Sequence, residues 1–422
     1  MANILILTNF TEFNPGYSLS GIVRDQTNML AKHGNIVYLY VSEKYHGGAF
    51  DCPNIILCQD IPDINLIDYQ SVKELQARHK AYAANLADKL MNDITNLKID
   101  VVFTHDWIFT GWNLPYALAL KIIGEEKADI PFIHWVHSVP SNLKDWWLIY
   151  DYGPKHKIIY PNKSDLMRVA ECFRGGYNSI RVIPHIKDIR SFFDFKPETC
   201  LIIDVVPALM NATFVQVYPA STDRLEAKRV DMVIKMFGFI KASGHSVCLF
   251  IANQWATGRQ RKEDIEKYHK LAIQYGLVPG KDFIFSSELF DNAFDKGIPR
   301  EIIRELMMLS NLFIYPTREE SFGLCLPEVS LASGALCVLN RSLKMQIEVS
   351  MGATIYFEFG SYENIFEPEG GWDQYLNQVA MIVIGRFMQN ESIMLKTMIR
   401  QRYNMDFLYR SFYLPVISEV AA

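Results

Sequence analysis

The sequence predicts an α/β protein built from two doubly wound parallel sheets. Short runs of β-branched and aromatic residues alternate with helix-patterned segments, and the runs are apolar on both faces. The same alternation occurs twice along 422 residues, a length typical of two domains. Two such sets in series indicate two Rossmann-like domains.

The predicted strands divide between the halves of the chain. Those of the first half are NILILT (3–8), IVYLYV (36–41), NIILCQ (54–59), VVFTH (101–105), FIHWVHS (132–138), KIIYPN (157–162) and IRVIPH (180–185). Those of the second half are FVQVYPA (214–220), SVCLFIA (246–252), DFIFSS (282–287), NLFIYPT (311–317), ALCVLN (335–340) and ATIYFEF (353–359). The clearest helix-patterned segments between them are 20–33, 72–97, 228–242 and 260–275. Parallel neighbours need such crossover helices.

Periodicity is weak between 186 and 212, which predicts the domain boundary. We expect an N-terminal domain over 1–190, a hinge or linker over 191–212 and a C-terminal domain over 213–390. The remaining residues, 391–422, are predicted to form a helical tail that packs back toward the N-terminal domain.

Composition is that of a soluble globular protein, with 50% hydrophobic and 21% charged residues. The net charge of −5 gives no general attraction for nucleic acid or anionic membranes. Seven scattered cysteines without a C-x-x-C pair suggest neither a disulfide framework nor a zinc site. The first residues lack a signal-peptide pattern and no apolar run approaches 18 residues. We therefore expect a cytoplasmic protein without a stable transmembrane association.

The predicted ligand site follows strand NLFIYPT, because ligands bind beyond the carboxyl ends of parallel strands. Glu320 and Glu328 lie on either side of Gly323, eight positions apart. Backbone N–H groups of 321–324, next to a helix start, are suited to a phosphate, and glycine allows close approach. Carboxylates accept hydrogen bonds from hydroxyl groups. The alternative is that Glu328 complements the helix dipole and Glu320 is solvated.

This block resembles a glycosyltransferase signature. EESFGLCLPEVSLASGALCVLN (319–340) is similar to the E-x7-E motif of retaining glycosyltransferases of the family-4 type (group 1), which have the GT-B fold with a cleft between two Rossmann-like domains. The matching residues are Glu320, Phe322, Gly323, Leu324, Glu328 and Gly334. Ser321 and Ala335 depart from the motif. The resemblance implies that Glu320 holds the sugar and Glu328 the donor ribose.

A second block, DRLEAKRVDMVIKMF (223–237), resembles the family's G-R-L-x-x-x-K-G-x-D segment, one residue shorter and with Asp223 and Arg229 in place of glycines. Arg224 and Lys228 would then bind the donor diphosphate and stabilise its departure without a metal. The alternative is a solvated basic helix start. GKDFIFSSELFDN (280–292) is similar to the segment that wraps the donor base.

The N-terminal half adds further candidates. NFTEFNPGYSLSG (9–21) fits the family's glycine-containing loop, so Gly16 and Gly21 are candidates for the donor phosphates. The family has a histidine near the transferred sugar, for which His137 is the first match and His134 the second. Asp106 would face the acceptor. Each of these could instead be structural.

The implied reaction transfers a sugar from a nucleoside-diphosphate-sugar, with UDP-sugar as the expected donor, to a hydroxyl with retention of configuration. Glu320, His137 and Asp106 are the candidate catalytic residues. No metal or other cofactor is expected, since no suitable Asp-x-Asp motif follows a strand. A sugar-nucleotide epimerase and a non-catalytic sugar-binding protein are the alternatives of other classes.

The acceptor is expected to be a glycan or lipid-linked saccharide. Aromatic residues beside the predicted cleft could stack on it or could be core; these are Trp107, Trp112, Trp135, Trp146, Trp147, Tyr150 and Tyr152. Arg259 and Arg261 suggest a basic rim, which would also suit a hydroxymethylated DNA base, the alternative acceptor. The oligomeric state is left open.

Overall fold

The computed structural model describes residues 1–108, 111–127, 129–138, 155–173 and 177–421. These residues form two compact units, one of Met1–Asp188 with Tyr403–Ala422 (unit 1) and the other of Ile189–Arg402 (unit 2). Both are α/β units with parallel sheets, so the predicted fold class is confirmed. Within the described ranges, no helix is long and apolar enough to cross a membrane.

Unit 1 has one sheet of seven parallel strands. Its elements are β1 (Asn3–Leu7), α1 (Ser18–Lys32), β2 (Ile36–Ser42), β3 (Ile55–Ile61), α2 (Ala77–Asn96), β4 (Val101–His105), α3 (Leu114–Glu126), β5 (Phe132–Trp135), β6 (His156–Tyr160), α4 (Leu166–Phe173) and β7 (Ile180–Val182). The strand order is β3-β2-β1-β4-β5-β6-β7. The chain therefore changes direction across the sheet between β1 and β4, which is the switch point where ligands bind in such sheets.

Unit 2 contains two sheets of three parallel strands, ordered β10-β9-β8 and β11-β12-β13. Its elements are α5 (Ile189–Phe192), α6 (Pro197–Val205), α7 (Ala208–Asn211), β8 (Phe214–Pro219), α8 (Val230–Ala242), β9 (Val247–Ala252), α9 (Arg259–Gln274), β10 (Phe283–Phe285), α10 (Arg300–Met307), β11 (Leu312–Tyr315), α11 (Cys325–Ser333), β12 (Leu336–Asn340), α12 (Lys344–Val349), β13 (Ile355–Phe357), α13 (Gly371–Met388) and α14 (Glu391–Arg402).

The predicted linker over 191–212 is wrong, because this segment is helical and belongs to unit 2. Ile202 and Leu209 are completely buried in the core of unit 2. Glu305 of α10 accepts hydrogen bonds from Lys196 N–H at 2.9 Å and from Thr199 Oγ1 at 2.5 Å. The helices are too short to show a helical period, which explains why the sequence suggested a linker.

The predicted tail divides between the units. Helix α14 belongs to unit 2, where the buried Arg400 guanidinium donates to the Leu209, Met210 and Ala212 carbonyls. From Tyr403 onward the chain belongs to unit 1, as α15 (Met405–Leu408), a π-helical turn (Tyr409–Tyr413) and α16 (Leu414–Ala421). The Tyr413 ring stacks on Trp135, with 5.0 Å between centroids.

Strands β8 and β11 lie side by side in the middle of unit 2 and are joined mainly through side chains, a junction here called the β8–β11 seam. The Gln216 side chain donates to the Ile314 carbonyl at 2.9 Å and accepts from the Ile314 N–H at 2.8 Å. Asn311 Oδ1 accepts from Val215 N–H at 2.9 Å, and Asn311 N–H donates to Val215 O at 3.0 Å. The seam gives the overall order β10-β9-β8-β11-β12-β13, with its switch point between β8 and β11.

Replacing Gln216 with leucine should lower the free energy of unfolding of unit 2. Both Ile314 backbone groups would be left buried without partners, which costs about 2–4 kcal/mol. Urea unfolding followed by hydrogen exchange of β8 and β11 peptides measures the change. Gln274→Leu, at an exposed position of α9, is the control and should change stability by less than about 0.5 kcal/mol. Equal stability of the two variants would contradict the role assigned to the seam.

Candidate functional site

The strongest candidate site lies at the switch point of unit 2, beyond the carboxyl ends of β8 and β11. A short 3-10 turn, Thr222–Arg224, follows β8, and Lys228 comes just before α8. The loop with Glu320 follows β11. The seam holds these two strand ends next to each other, so residues about 90 positions apart meet.

Lys228 and Glu320 form an ion pair beneath this loop. The Lys228 ammonium contacts Glu320 Oε1, and each side chain is only 11% exposed. The Tyr315 hydroxyl donates to the same oxygen at 2.6 Å and accepts from Lys228 Nζ at 3.1 Å. Burial lowers the pKa of Lys228, and the contacting carboxylate favours the charged form. The structure thus brings together two of the predicted donor-site residues, and adds Tyr315.

The loop above this pair exposes backbone and apolar side chains. Gly323 has φ +72°, a left-handed conformation that favours glycine, and a Cβ there would lie 3.4 Å from the Tyr315 ring. Phe322 and Leu324 are 51% and 59% exposed. Among the described residues, no hydrogen bond involves the N–H groups of 322–324. These groups, directly before α11, can donate to an anion.

Glu328 lies in the first turn of α11 and contacts the Arg300 guanidinium at the start of α10. A groove of about 500 Å³ runs between these helices, and Arg304, Met307 and Leu331 also line it. The sequence analysis did not identify Arg300. Its position directly after Pro299, at the start of a helix, is the feature that could have indicated it.

The second sequence block is held in place by Arg229. Its φ of +51° is left-handed, a conformation that glycine adopts without strain. The Arg229 guanidinium donates to the Phe359 carbonyl and lies 4.9 Å from the Trp372 ring centroid. Arg224, by contrast, is exposed and pairs with Glu319 at 3.2 Å. Arg224 is therefore open to a ligand, and Arg229 is an anchor.

The segment predicted to wrap the donor base follows β10. Asn253, buried at the end of β9, accepts from Ser287 N–H at 3.0 Å and donates to Ser287 Oγ at 2.9 Å. Three consecutive residues of this segment, 290–292, have left-handed φ values. The segment thus lies at the same strand-end edge as Lys228.

The predicted basic rim is largely neutralised within α9. Arg259 pairs with Glu263 at 2.8 Å and Arg261 with Asp264 at 3.9 Å, both on their own helix. The Arg259 side chain is 93% exposed. This arrangement is that of a solvated helix face.

In unit 1 the predicted loop residues follow β1 at its switch point. Gly16 N–H donates to Asn14 Oδ1 at 2.8 Å, forming a local turn before α1. Gly21 lies in the first turn of α1, and outside the helix backbone no described atom lies within 4 Å of an added Cβ. Burial and, to a smaller extent, the Asp106 carboxylate raise the pKa of Tyr17 from this loop.

Asp106, directly after β4, orders the backbone that follows β5. Its Oδ1 accepts from His137 N–H at 2.8 Å, and Oδ2 accepts from Ser138 Oγ at 3.4 Å. Burial raises the pKa of Asp106 to about 6, although these hydrogen bonds oppose the shift. Its φ of +55° is left-handed. The carboxyl group is thus engaged with the protein.

His137 belongs to a chain of three histidines at the strand ends. His105 Nδ1 lies 2.9 Å from His137 Nε2, and His137 Nδ1 lies 3.1 Å from His185 Nε2. Burial lowers the pKa of all three, that of His137 to about 3. Neutral rings each donate once, so the tautomer of one fixes the others. His105 and His185 were missed, although each ends a predicted strand.

His134 is separate from this chain, being buried with Nδ1 2.9 Å from Thr104 Oγ1.

Trp107 is a core residue, 1% exposed and stacked on Tyr116, so its prediction as an acceptor-side residue is wrong. Trp112 is 53% exposed. The other aromatic candidates, Trp146, Trp147, Tyr150 and Tyr152, lie outside the described residues.

Across the described ranges, no group of three or more His, Cys, Asp or Glu residues is placed to hold a metal ion. Metal independence stays a prediction.

No protein-family model matches the chain, and no curated protein matches it in sequence. Solved structures that it resembles include a glycosyltransferase from Rickettsia africae ESF-5, at 13% identity over 99% of this chain and 98% of that one, with a TM-score of 0.36. Anabaena Alr3699/HepE in complex with UDP is 13% identical over 99% and 100% of the chains, with a TM-score of 0.33. Trehalose-6-phosphate synthase OtsA is 10% identical over 99% of both, with a TM-score of 0.36. Values this low do not assign a family.

Replacing Asp106 with asparagine should change how stability depends on pH. The carboxyl pKa of about 6 in the folded protein lies above its ordinary 3.8, so the folded state binds the proton more tightly. Its stabilising contribution is present below pH 4 and is lost as the pH rises through 6. The unfolding free energy of wild type relative to the variant should therefore fall by about 2 kcal/mol between pH 4 and pH 7.

Urea unfolding of both proteins at pH 4, 5, 6 and 7 measures this difference. Asp51→Asn, at an exposed position of unit 1, is the control, and its curve should run parallel to that of wild type. A wild-type–Asp106→Asn difference that is constant with pH would contradict the burial argument.

Proposed function

We propose that this chain is a glycosyltransferase that moves a sugar from a nucleoside-diphosphate-sugar, with UDP as the nucleotide, to an acceptor hydroxyl. The observation that carries the proposal is the Lys228–Glu320 pair at the switch point of unit 2, beneath a glycine loop whose 322–324 N–H groups bond to no other described residue. A cation and an anion fixed side by side suit a ligand with a diphosphate next to a polyhydroxylated ring. The E-x7-E resemblance agrees with this assignment of roles.

In the proposed mechanism, Lys228 and Arg224 bind the diphosphate and take up the negative charge that grows as it leaves. The N–H groups of 322–324 add donors on the loop side. Glu320 Oε2, which neither the Lys228 nor the Tyr315 contact uses, accepts from a sugar hydroxyl. Glu328, in the first turn of α11, accepts from the ribose.

We further propose that the reaction retains the anomeric configuration and needs no metal. The departing phosphate oxygen would deprotonate the acceptor as it attacks the same face of the sugar. With cations on the diphosphate, leaving-group stabilisation does not require an ion.

For the acceptor we propose a glycan or lipid-linked saccharide, with the exposed Trp112 as the unit 1 candidate for contact with it and His137 kept as a catalytic candidate. The basic residues that suggested DNA, Arg259 and Arg261, pair with acids on their own helix. This pairing reduces their attraction for phosphates and favours the saccharide.

Substituting the paired glutamates should separate sugar binding from nucleotide binding. With UDP-glucose as donor, Glu320→Gln should lower the rate of UDP release at least 100-fold, because an interaction with the reacting sugar is lost. Glu328→Gln should raise the donor KM about tenfold while leaving kcat within about threefold, as expected for lost ribose hydrogen bonds.

The assay compares UDP-, ADP-, GDP- and CDP-glucose, with saccharide acceptors present. Glu348→Gln, at an exposed position of α12, is the matched control and should behave as wild type. Mass spectrometry of the products separates sugar transfer from epimerisation. Release that survives both site substitutions, or a wild type that neither binds nor turns over any donor, would overturn the proposal.

A further inference from the structure

Tyr315 is the last residue of β11 and has no role in the function proposed above. Its side chain is completely buried beneath the loop that contains Glu320 and Gly323. The ring packs edge-on against Tyr218, with 5.9 Å between centroids and 88° between planes. Gln346 Nε2 donates to the Tyr315 carbonyl at 3.2 Å. Both the backbone and the ring are therefore fixed in position.

The Tyr315 hydroxyl connects the two charged groups of the site. It donates to Glu320 Oε1 at 2.6 Å and accepts from Lys228 Nζ at 3.1 Å. Burial raises the pKa of the hydroxyl, so it keeps its proton and stays a donor. A neutral hydroxyl of this kind holds the carboxylate and has no charge with which to attract the diphosphate. A second cation in its place would bind both groups.

The contacts are asymmetric on the Glu320 carboxylate. Tyr315 and Lys228 both contact Oε1. The terminal torsion of a glutamate is broad and intrinsically soft, so its plane must be set by partners. The Lys228 ammonium is on a flexible four-carbon chain and is expected to turn toward a diphosphate. Tyr315, fixed by the core, is the partner that remains on Oε1.

We propose that Tyr315 is a positioning residue that fixes the plane of the Glu320 carboxylate and thereby determines which donor-sugar hydroxyl Oε2 accepts. This role rests on the proposed function. A carboxylate of fixed orientation recognises one hydroxyl and rejects a sugar without it, because the oxygen is then left unpaired. A rotating carboxylate accepts neighbouring hydroxyls almost equally.

The test is the hydroxyl selectivity of Tyr315→Phe, which removes only the phenolic oxygen. Binding and turnover of UDP-glucose are compared with those of its four monodeoxy analogues and with binding of UDP. Wild type should discriminate strongly against one analogue. In Tyr315→Phe this discrimination should fall at least tenfold, with UDP affinity within about threefold of wild type. A general loss of stability would instead weaken every ligand alike.

Tyr413→Phe is the matched control, since it also removes a buried hydroxyl, the one that accepts from Gln26 Nε2 at 3.1 Å in unit 1. It should keep wild-type selectivity. Because Tyr315 acts through Glu320, the double variant Tyr315→Phe/Glu320→Gln should discriminate no less than Glu320→Gln alone.

The outcomes separate the two proposals. A wild type that does not bind UDP-glucose overturns the proposed function and the positioning role with it. If turnover depends on Glu320 but the Tyr315→Phe variant keeps the full selectivity of wild type, the positioning role alone is overturned. A further loss of selectivity in the double variant also overturns it.

Discussion

The β8–β11 seam is the constraint on which the candidate site depends. Backbone pairing would bring two strands together in many registers, but Gln216 matches both the N–H and the carbonyl of Ile314 at one place only. Asn311 pairs with both backbone groups of Val215, through its side-chain oxygen and its own backbone N–H. Any other register would bury unpaired amide groups. The register of β8 against β11, and with it the relative position of their carboxyl ends, is therefore fixed. Arg224 and Lys228 after β8 therefore meet Glu319 and Glu320, respectively, after β11.

That meeting creates an interaction that folding alone does not favour. Removing an ammonium and a carboxylate from water costs energy that their attraction offsets only in part, and an apolar pair of similar size is often as stable. Here the two desolvated groups are Lys228 and Glu320, at the carboxyl ends of β8 and β11, and both are assigned to the donor in the proposed function. A diphosphate and a sugar hydroxyl offer the two groups new partners of the correct charge. In the proposed function, the pair holds both groups in place for exchange with these partners.

Prediction from sequence succeeded where a local pattern determines the outcome. All strand runs in both halves are strands in the structure, because continuous apolar runs between helices have few other solutions. Strand-end position and resemblance made Lys228 and Glu320 site candidates, but they did not predict the ion pair between them. Tyr315 could not, since an apolar strand ending in tyrosine does not show which way the hydroxyl points.

The errors have a common physical origin. Trp107 was expected near the acceptor and α6 was expected to be a linker, but both pack into a core. Burial depends on contacts between residues distant in sequence, which the periodicity of a segment does not show. The histidine chain was only partly recognised, since His105 ends β4 while His137 and His185 follow β5 and β7. Their register in the sheet, and not their spacing along the chain, makes them neighbours.

The return of residues 403–421 to unit 1 has a consequence for biosynthesis. Unit 2 is continuous in sequence, and all its strands have been synthesised before Tyr403 is added. Unit 1 cannot complete its packing until residues 403–421 are present, because Tyr413 packs on Trp135 and Tyr409 bonds to Asn35. We therefore expect the half of the protein that is translated first to complete its folding only after residues 403–421 have been made.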